Sequence, residues 1–218
     1  MSDFLSAFAV GINEVLIGHP LNTAKVLIQN KQKWLGLPFK HYYRGVKYPL
    51  LSSTFFNMLT FPMNERLYKH TNNYFVSGMF CGVVASPIIF FIDTFTIKRQ
   101  TNQNVSFSMF KGARGLYSTM LRESIASSLY FGTYYFMHDD LKINSLVSGG
   151  AAGLCNWTFS YPIDVVRSRQ IAQRITINEA IKMGNIWSGF SIVAFRAILV
   201  NSIGFTVFKY CNLYLREV

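Results

Sequence analysis

A short frame of small residues and a proline position occurs three times along the chain, and it constrains the fold more than any other feature. Each copy has two small residues four apart, and the proline position follows nine residues after the second of them. The proline positions Pro20, Phe91 and Pro162 lie 71 residues apart both times. The small pairs are Ala7/Gly11, Gly78/Gly82 and Gly149/Gly153. Self-similarity at a constant period predicts three equivalent structural units.

Each unit also has a second half, which opens at Gly45, Gly115 or Gly189 and is long and apolar enough to cross a membrane. These second halves end in aromatic residues, which suit a membrane interface. We therefore predict spanning helices over 4–29, 47–69, 73–99, 115–137, 144–171 and 189–213. The predicted fold class is an all-α membrane protein, with six transmembrane helices in three pseudo-threefold repeats around a central cavity. It forms a single domain, 1–218, with repeats at approximately 1–70, 71–141 and 142–218.

Composition agrees with a bundle around a wet cavity. The chain has 218 residues, of which 50% are hydrophobic and 14% charged, and its mean hydropathy is +0.23. Six spans of ~20 residues would use most of this length, and their polar residues would face inward. The net charge of +11 would suggest nucleic acid in a soluble protein, but the basic residues lie between or just beyond the apolar stretches. This distribution favours anionic lipid and an anion-attracting cavity, and it predicts no nucleic-acid partner.

The residues after the proline positions resemble the signature of the mitochondrial carrier family, P-x-[DE]-x-x-[KR] with a glutamine four residues after the basic one. The three stretches read HPLNTAKVLIQ, FIDTFTIKRQ and YPIDVVRSRQ. The resemblance covers essentially the whole chain. It implies a monomeric transporter of the mitochondrial inner membrane, with both termini on the cytosolic side. Short segments such as GHPLNTAKV and LRESIASSLYFGTYY are most similar in sequence to carriers of carnitine and of ornithine-like amino acids.

The resemblance implies a gate on the matrix side. Proline kinks at Pro20 and Pro162 let the lower ends of the helices converge. In the family, the acid of one repeat pairs with the base of the next. We therefore expect two ion pairs and one neutral pair, braced by two glutamines. The expected pairs are Asp93 with Arg167, Asp164 with Lys25 and Asn22 with Thr96, and the braces are Gln29 and Gln100.

A second gate is expected on the cytoplasmic side. The family pattern there, [FY]-[DE]-x-x-[KR] on the even helices, is poorly matched. The expected residues are Glu65, Tyr135 and Lys209, of which only Glu65 is standard. We expect this gate to be weak and held by tyrosine hydrogen bonds.

The family's substrate site lies seven residues after each opening glycine, at Ser52, Arg122 and Arg196 in this chain. An arginine followed by an acid, as in Arg122-Glu123, looks like amino-acid or carnitine transport. The two arginines would hold a carboxylate and Glu123 a cationic group. The alternative is that Arg122 and Glu123 merely pair with each other. Glu14 shares a helix face with Lys25, and it is either a second ammonium ligand or a structural partner of an arginine.

The predicted function is exchange of a small carboxylate-bearing metabolite by alternating access. The alternatives are a nucleotide or deoxynucleotide exchanger of the same fold, and a degenerate carrier with a structural or interaction role. Tyr43-Arg44-Gly45 resembles the family's cardiolipin-binding element. We expect no enzyme activity, metal site or cofactor, because neither the histidines nor the cysteines show metal-ligand or catalytic spacing. The Asn-, Ile- and Lys-rich composition leaves open a parasite- or virus-encoded protein that acts on host mitochondria.

Overall fold

The computed structural model describes residues 2–104, 110, 112–196 and 199, without the side chains of 2–14, 51–59, 61, 145 and 146. This part of the chain is helical and has no β-strand. A π-helical turn, Phe136–Asp140, follows the fifth helix, and residues 190–196 are also helical. The helices are α1 Ser2–Gln29, α2 Phe39–Tyr42, α3 Lys47–Thr71, α4 Tyr74–Gln100, α5 Leu116–Tyr135, α6 Ser145–Gln173 and α7 Ile177–Lys182.

The five long helices coincide closely with the first five predicted spans, so the all-helical prediction is confirmed for the described residues. The sixth predicted span is described only over its first turns. Pro20 and Pro162 lie inside α1 and α6, which continue past them, and Pro62 and Pro87 lie inside α3 and α4 in the same way. A proline removes one intrahelical hydrogen bond and crowds the preceding turn.

Backbone turns recur at equivalent places in the three sequence units. Lys31, Asn102 and Arg174 follow the ends of α1, α4 and α6, and all three have left-handed φ values of 55°, 58° and 57°. In the first two, the next residue donates its N–H to a carbonyl five residues back, as in a Schellman cap. The glycines that open the second halves have φ values between 82° and 100°, a region that favours glycine. These glycines are Gly45, Gly115 and Gly189.

The described residues group into two compact units. The first draws on 1–54, 92–106 and 188–218, and the second on 55–91 and 107–187. Helices α3 and α4 contribute residues to both. In the second unit α4 lies against α5, and α5 against α6. In the first unit α1 lies against α2, and the last turns of α4 against both.

Helix α4 can cross a membrane by length and composition. Its most apolar window has a mean hydropathy of 2.2, and 39% of that window is buried. It is the one helix of the described part that meets this criterion. Its exposed large apolar side chains are Phe75, Met79, Phe80, Val83, Val84, Ile88 and Phe91.

Candidate functional site

Four charged side chains meet where α5 packs on α6. We call Arg122, Glu123, Asp164 and Arg167 the charged cluster. Arg122 Nη1 lies 2.5 Å from Glu123 Oε1, and Arg167 Nη1 lies 3.6 Å from the same oxygen. Asp164 Oδ1 lies 3.2 Å from Arg167 Nη2 and 3.9 Å from Arg122 Nε. Each acid therefore contacts both arginines.

The charged cluster is almost fully withdrawn from solvent. The exposed fractions of the side chains are 14% for Arg122, 4% for Glu123, 2% for Asp164 and 9% for Arg167. Two positive and two negative groups compensate one another, which offsets the desolvation cost of burying them. Removal of one member would leave its partners as uncompensated buried charges.

Trp157 completes the surroundings of Arg122, and the sequence did not predict this role. The guanidinium carbon of Arg122 lies 5.2 Å from the centroid of the indole ring, within the range of a cation–π interaction. Trp157 lies seven residues before Asp164 on α6, which places both side chains on nearly the same helix face. That spacing is the signal by which Trp157 could have been found.

Two glycines of the second repeat determine how closely α5 approaches α4. A Cβ atom at Gly82 would lie 2.2 Å from the carbonyl oxygen of Glu123, and one at Gly78 would lie 2.5 Å from that of Ser127. The small pair of the second repeat therefore permits a close approach of α4 to α5. In the third repeat, no described atom lies within 4 Å of a Cβ built on Gly149 or Gly153.

Arg196 belongs to the other compact unit, where its guanidinium lies against Gly18 of α1. A Cβ at Gly18 would lie 2.8 Å from Arg196 Nε. The other predicted substrate residues, Glu14 and Ser52, lie in α1 and α3 with side chains outside the described part. Arg122 and Glu123 are thus in direct contact, whereas their relation to Ser52, Glu14 and Arg196 stays a prediction.

The residues of the first unit that were predicted to form the matrix gate are mostly buried. Lys25 is 7% exposed, and Gln29 and Gln100 are 0% and 2% exposed. Gln100 Nε2 donates a hydrogen bond of 3.2 Å to Thr23 Oγ1, and Thr96 Oγ1 donates one of 3.0 Å to the carbonyl of Ile92. Asn22 and Asp93 are half-buried. Asp164 and Arg167 lie in the second unit, so the expected pairs with Lys25 and Asp93 stay predictions.

Three tyrosine rings form a stack near the end of α3, the start of α4 and the end of α5. Tyr74 lies 3.7 Å from Tyr68 and 3.8 Å from Tyr135 between ring centroids, with interplanar angles of 5° and 10°. The stack joins α3, α4 and α5. Glu65, one turn before Tyr68, is exposed, and Lys209 lies outside the described residues. The predicted gate position of Tyr135 therefore falls in an aromatic stack rather than in an ion pair.

A small cavity of about 240 Å³ lies beside the predicted cardiolipin element. Two cationic side chains, Lys47 and Arg99, contribute to its wall. Arg44 donates a hydrogen bond to Asn102 Oδ1 and thereby ties the element to the turn after α4. The remaining lining residues are Tyr43, Gly45, Val46 and Tyr48.

Comparison with known proteins agrees with the sequence motifs. Residues 139–218 match the family described as mitochondrial carrier protein. The human mitochondrial basic amino acids transporter is 29% identical to the chain over 77% of it and 70% of its own length. The mitochondrial arginine transporter BAC2 of Arabidopsis thaliana is 25% identical over 95% and 89%, and the mitochondrial substrate carrier family protein L of Dictyostelium discoideum is 27% identical over 95% and 93%. Residues 139–218 are thus similar to the mitochondrial carrier family, and most of the chain is similar to mitochondrial transporters and carriers.

Proposed function

We propose that the protein is a solute transporter of the mitochondrial inner membrane that exchanges amino acids with a cationic side chain by alternating access. Its fold would be six transmembrane helices in three repeats around a central cavity. The recurrence of left-handed residues after α1, α4 and α6, and of left-handed glycines before the second halves, supports three equivalent units. The names of the human and Arabidopsis relatives support the substrate class.

The observation that carries this proposal is the direct contact of Arg122 with Glu123 inside a buried, charge-balanced cluster. An amino acid brings a carboxylate for Arg122 and an ammonium group for Glu123. It can therefore replace the contact between the two side chains without leaving either charge unpaired. The sequence allowed Arg122 and Glu123 to be either partners of each other or ligands of the substrate. Under this exchange of partners they are both, because the substrate takes over the contacts that the two side chains make with each other.

The cluster is neutral overall, so the names of the relatives rather than its net charge favour a basic amino acid. Such a substrate carries one carboxylate and two cationic groups, and the cluster offers two acids, Glu123 and Asp164. A phosphate-bearing solute would add negative charge next to both acids. Like charges at this depth are costly, so the nucleotide alternative is disfavoured.

The same cluster suggests how substrate binding could affect the matrix gate. Asp164 and Arg167 are the gate residues of the third repeat, and they contact Arg122 and Glu123 directly. A substrate that takes over Arg122 and Glu123 would weaken these two contacts. The gate residues would then be free to exchange their partners as the repeats move.

The remaining assignments follow the family resemblance. Asn22, Lys25, Asp93 and Thr96 would complete the matrix gate, and Arg196 would bind the carboxylate with Arg122. The protein would act as a monomer. The cavity beside Tyr43 would accept a lipid phosphate, with cardiolipin as the expected source.

The test is uptake of radiolabelled arginine into proteoliposomes preloaded with arginine, beside uptake of a nucleotide. We expect arginine exchange in the wild type and a roughly tenfold or greater loss of apparent affinity for arginine in Glu123→Gln, the loss of one charge-assisted contact. The matched control is Glu179→Gln on α7, which removes a carboxylate outside the cluster.

Three outcomes would contradict the proposal. Nucleotide exchange without arginine exchange would establish the nucleotide alternative. A lack of exchange for every solute tested would indicate the structural role. Equal affinities in Glu123→Gln and Glu179→Gln would remove Glu123 from the site.

A further inference from the structure

Arg196 lies across the backbone of α1 at Gly18. A Cβ at residue 18 would lie 2.8 Å from Nε, 3.1 Å from Nη2 and 3.3 Å from the guanidinium carbon of Arg196. Three atoms of one planar group at similar distances indicate that the guanidinium lies over the place where a side chain would begin. Gly18 itself is buried. Any larger residue at this position would meet the guanidinium first.

The equivalent positions in the other two repeats do not require glycine. The residues one and two repeat lengths further on are Ile89 in α4 and Ser160 in α6, and both lie within continuous helices. Glycine inside a helix is destabilising relative to alanine. A local reason specific to the first repeat is therefore needed, and Arg196 is the group in contact.

The backbone of α1 is held in place immediately after this contact. His19 is 1% exposed, and its Nε2 lies 3.0 Å from the carbonyl oxygen of Arg44, to which it donates. Thr23 Oγ1 donates a hydrogen bond of 2.8 Å to the carbonyl of Tyr42. Because these bonds tie α1 to the last residue of α2 and to Arg44 beyond it, a new side chain at residue 18 would displace Arg196 rather than the helix.

We infer that Gly18 is a positioning residue for substrate binding: it forms a cradle that fixes the depth and orientation of the Arg196 guanidinium, and so sets the affinity for the substrate carboxylate. The inference rests on the proposed function for the role of Arg196. The planar guanidinium binds a carboxylate through two parallel hydrogen bonds, and this geometry is lost when the group is turned or raised. The cradle therefore acts on affinity for the carboxylate and leaves the charge of the cavity unchanged.

The test is a double-mutant cycle of Gly18→Ala and Arg196→Lys in the full-length carrier. A lysine ammonium binds as a point charge without a fixed plane, so it does not need the cradle. We expect Gly18→Ala to raise KM for arginine roughly tenfold in the wild-type background, with a smaller change in kcat, through loss of the second hydrogen bond. In the Arg196→Lys background the same methyl group should change KM by less than about twofold. Gly150→Ala is the control, since Gly150 is helical and exposed, with no described atom within 4 Å of its Cβ.

Thermal unfolding of the same four proteins gives a readout that does not need transport. Alanine alone should stabilise α1, so a methyl group that lowers the unfolding temperature beside Arg196 and raises it in the Arg196→Lys background supports the cradle. An equal effect of Gly18→Ala in both backgrounds, on KM and on unfolding temperature, would refute it. If the wild type exchanges no amino acid, the proposed function fails, and the unfolding cycle still decides whether Gly18 cradles Arg196.

Discussion

The close approach of α4 to α5 makes Gly82→Ala the most direct test of how the charged cluster is positioned. The added Cβ would lie 2.2 Å from the carbonyl oxygen of Glu123 and 2.4 Å from its carbonyl carbon. Ordinary contacts of this kind begin at 3.4 Å. Since both atoms belong to the backbone, no side-chain rotation relieves the clash. The two helices must separate by more than about 1 Å.

This separation has two measurable consequences. Overpacking of a helix interface costs about 1–3 kcal/mol, which lowers the unfolding temperature of a chain of this size by roughly 2–4 °C per kcal/mol. It also shifts the backbone that carries Glu123, whose separation of 3.6 Å from Arg167 is close to the limit of an ion pair. A displacement of about 1 Å at a reacting or binding group can reduce activity by roughly a hundredfold.

The assay is thermal unfolding of purified protein together with arginine exchange in proteoliposomes. Gly150→Ala is the matched control, because the same substitution there meets no described atom. We expect a lower unfolding temperature and a loss of exchange for Gly82→Ala, and neither change for the control. Equal unfolding temperatures and exchange rates for the two variants would show that α4 and α5 are not in contact at Gly82.

Three further predictions concern the gates and α7. The single substitutions Asp93→Arg and Arg167→Asp should each abolish exchange, because breaking a buried ion pair costs about 3–5 kcal/mol. The double variant should regain part of the exchange, because reversal of the two charges restores their complementarity. A double variant no better than the worse single one would refute the pairing. The Tyr74→Phe variant should exchange arginine at the wild-type rate and the Tyr74→Leu variant should not, because ring stacking rather than the hydroxyl group joins the three helices. Equal exchange rates in the two variants would refute this. Hydrogen bonds from the backbone and side chain of Thr176 lower the pKa of Glu179, so the capping box of α7 is stable above the usual glutamate pKa and is lost as the pH falls through the lowered one. Hydrogen exchange of α7 amides should increase there, and Thr176→Ala should give the same increase at neutral pH.

The long helices were predictable because their determinants are local. The proline positions and opening glycines each act within a few residues of their own helix, and Gly45 and Gly115 indeed take the left-handed φ that such a turn needs. Because the repeat has a constant period, the helix bounds inferred in one unit also apply at the equivalent positions of the other two.

Contacts between helices were less predictable. The family rule pairs Arg167 with an acid of another repeat, but Arg167 also contacts Asp164 on its own helix and Glu123 on α5. Trp157 belongs to no motif, and its place under Arg122 depends on the rotation of α6 against α5. The tyrosine stack likewise needs three helix ends at matched heights. Such matches arise from packing between elements, which a single sequence does not specify.

One ion pair of the proposed matrix gate is absent from the sequence, since Asn22 stands at the expected acid position and Thr96 at the expected base position. Loss of both partners leaves no buried unpaired charge, and Thr96 satisfies its hydroxyl with the carbonyl of Ile92 in its own helix. The link between α1 and α4 is made instead by the neighbouring Thr23, which accepts a hydrogen bond from Gln100 and donates one to the carbonyl of Tyr42. A neutral hydrogen bond contributes about 1 kcal/mol, whereas breaking a buried ion pair costs about 3–5 kcal/mol. The α1–α4 contact is therefore the weakest of the three expected gate contacts, and under the proposed mechanism it would separate first when the gate opens.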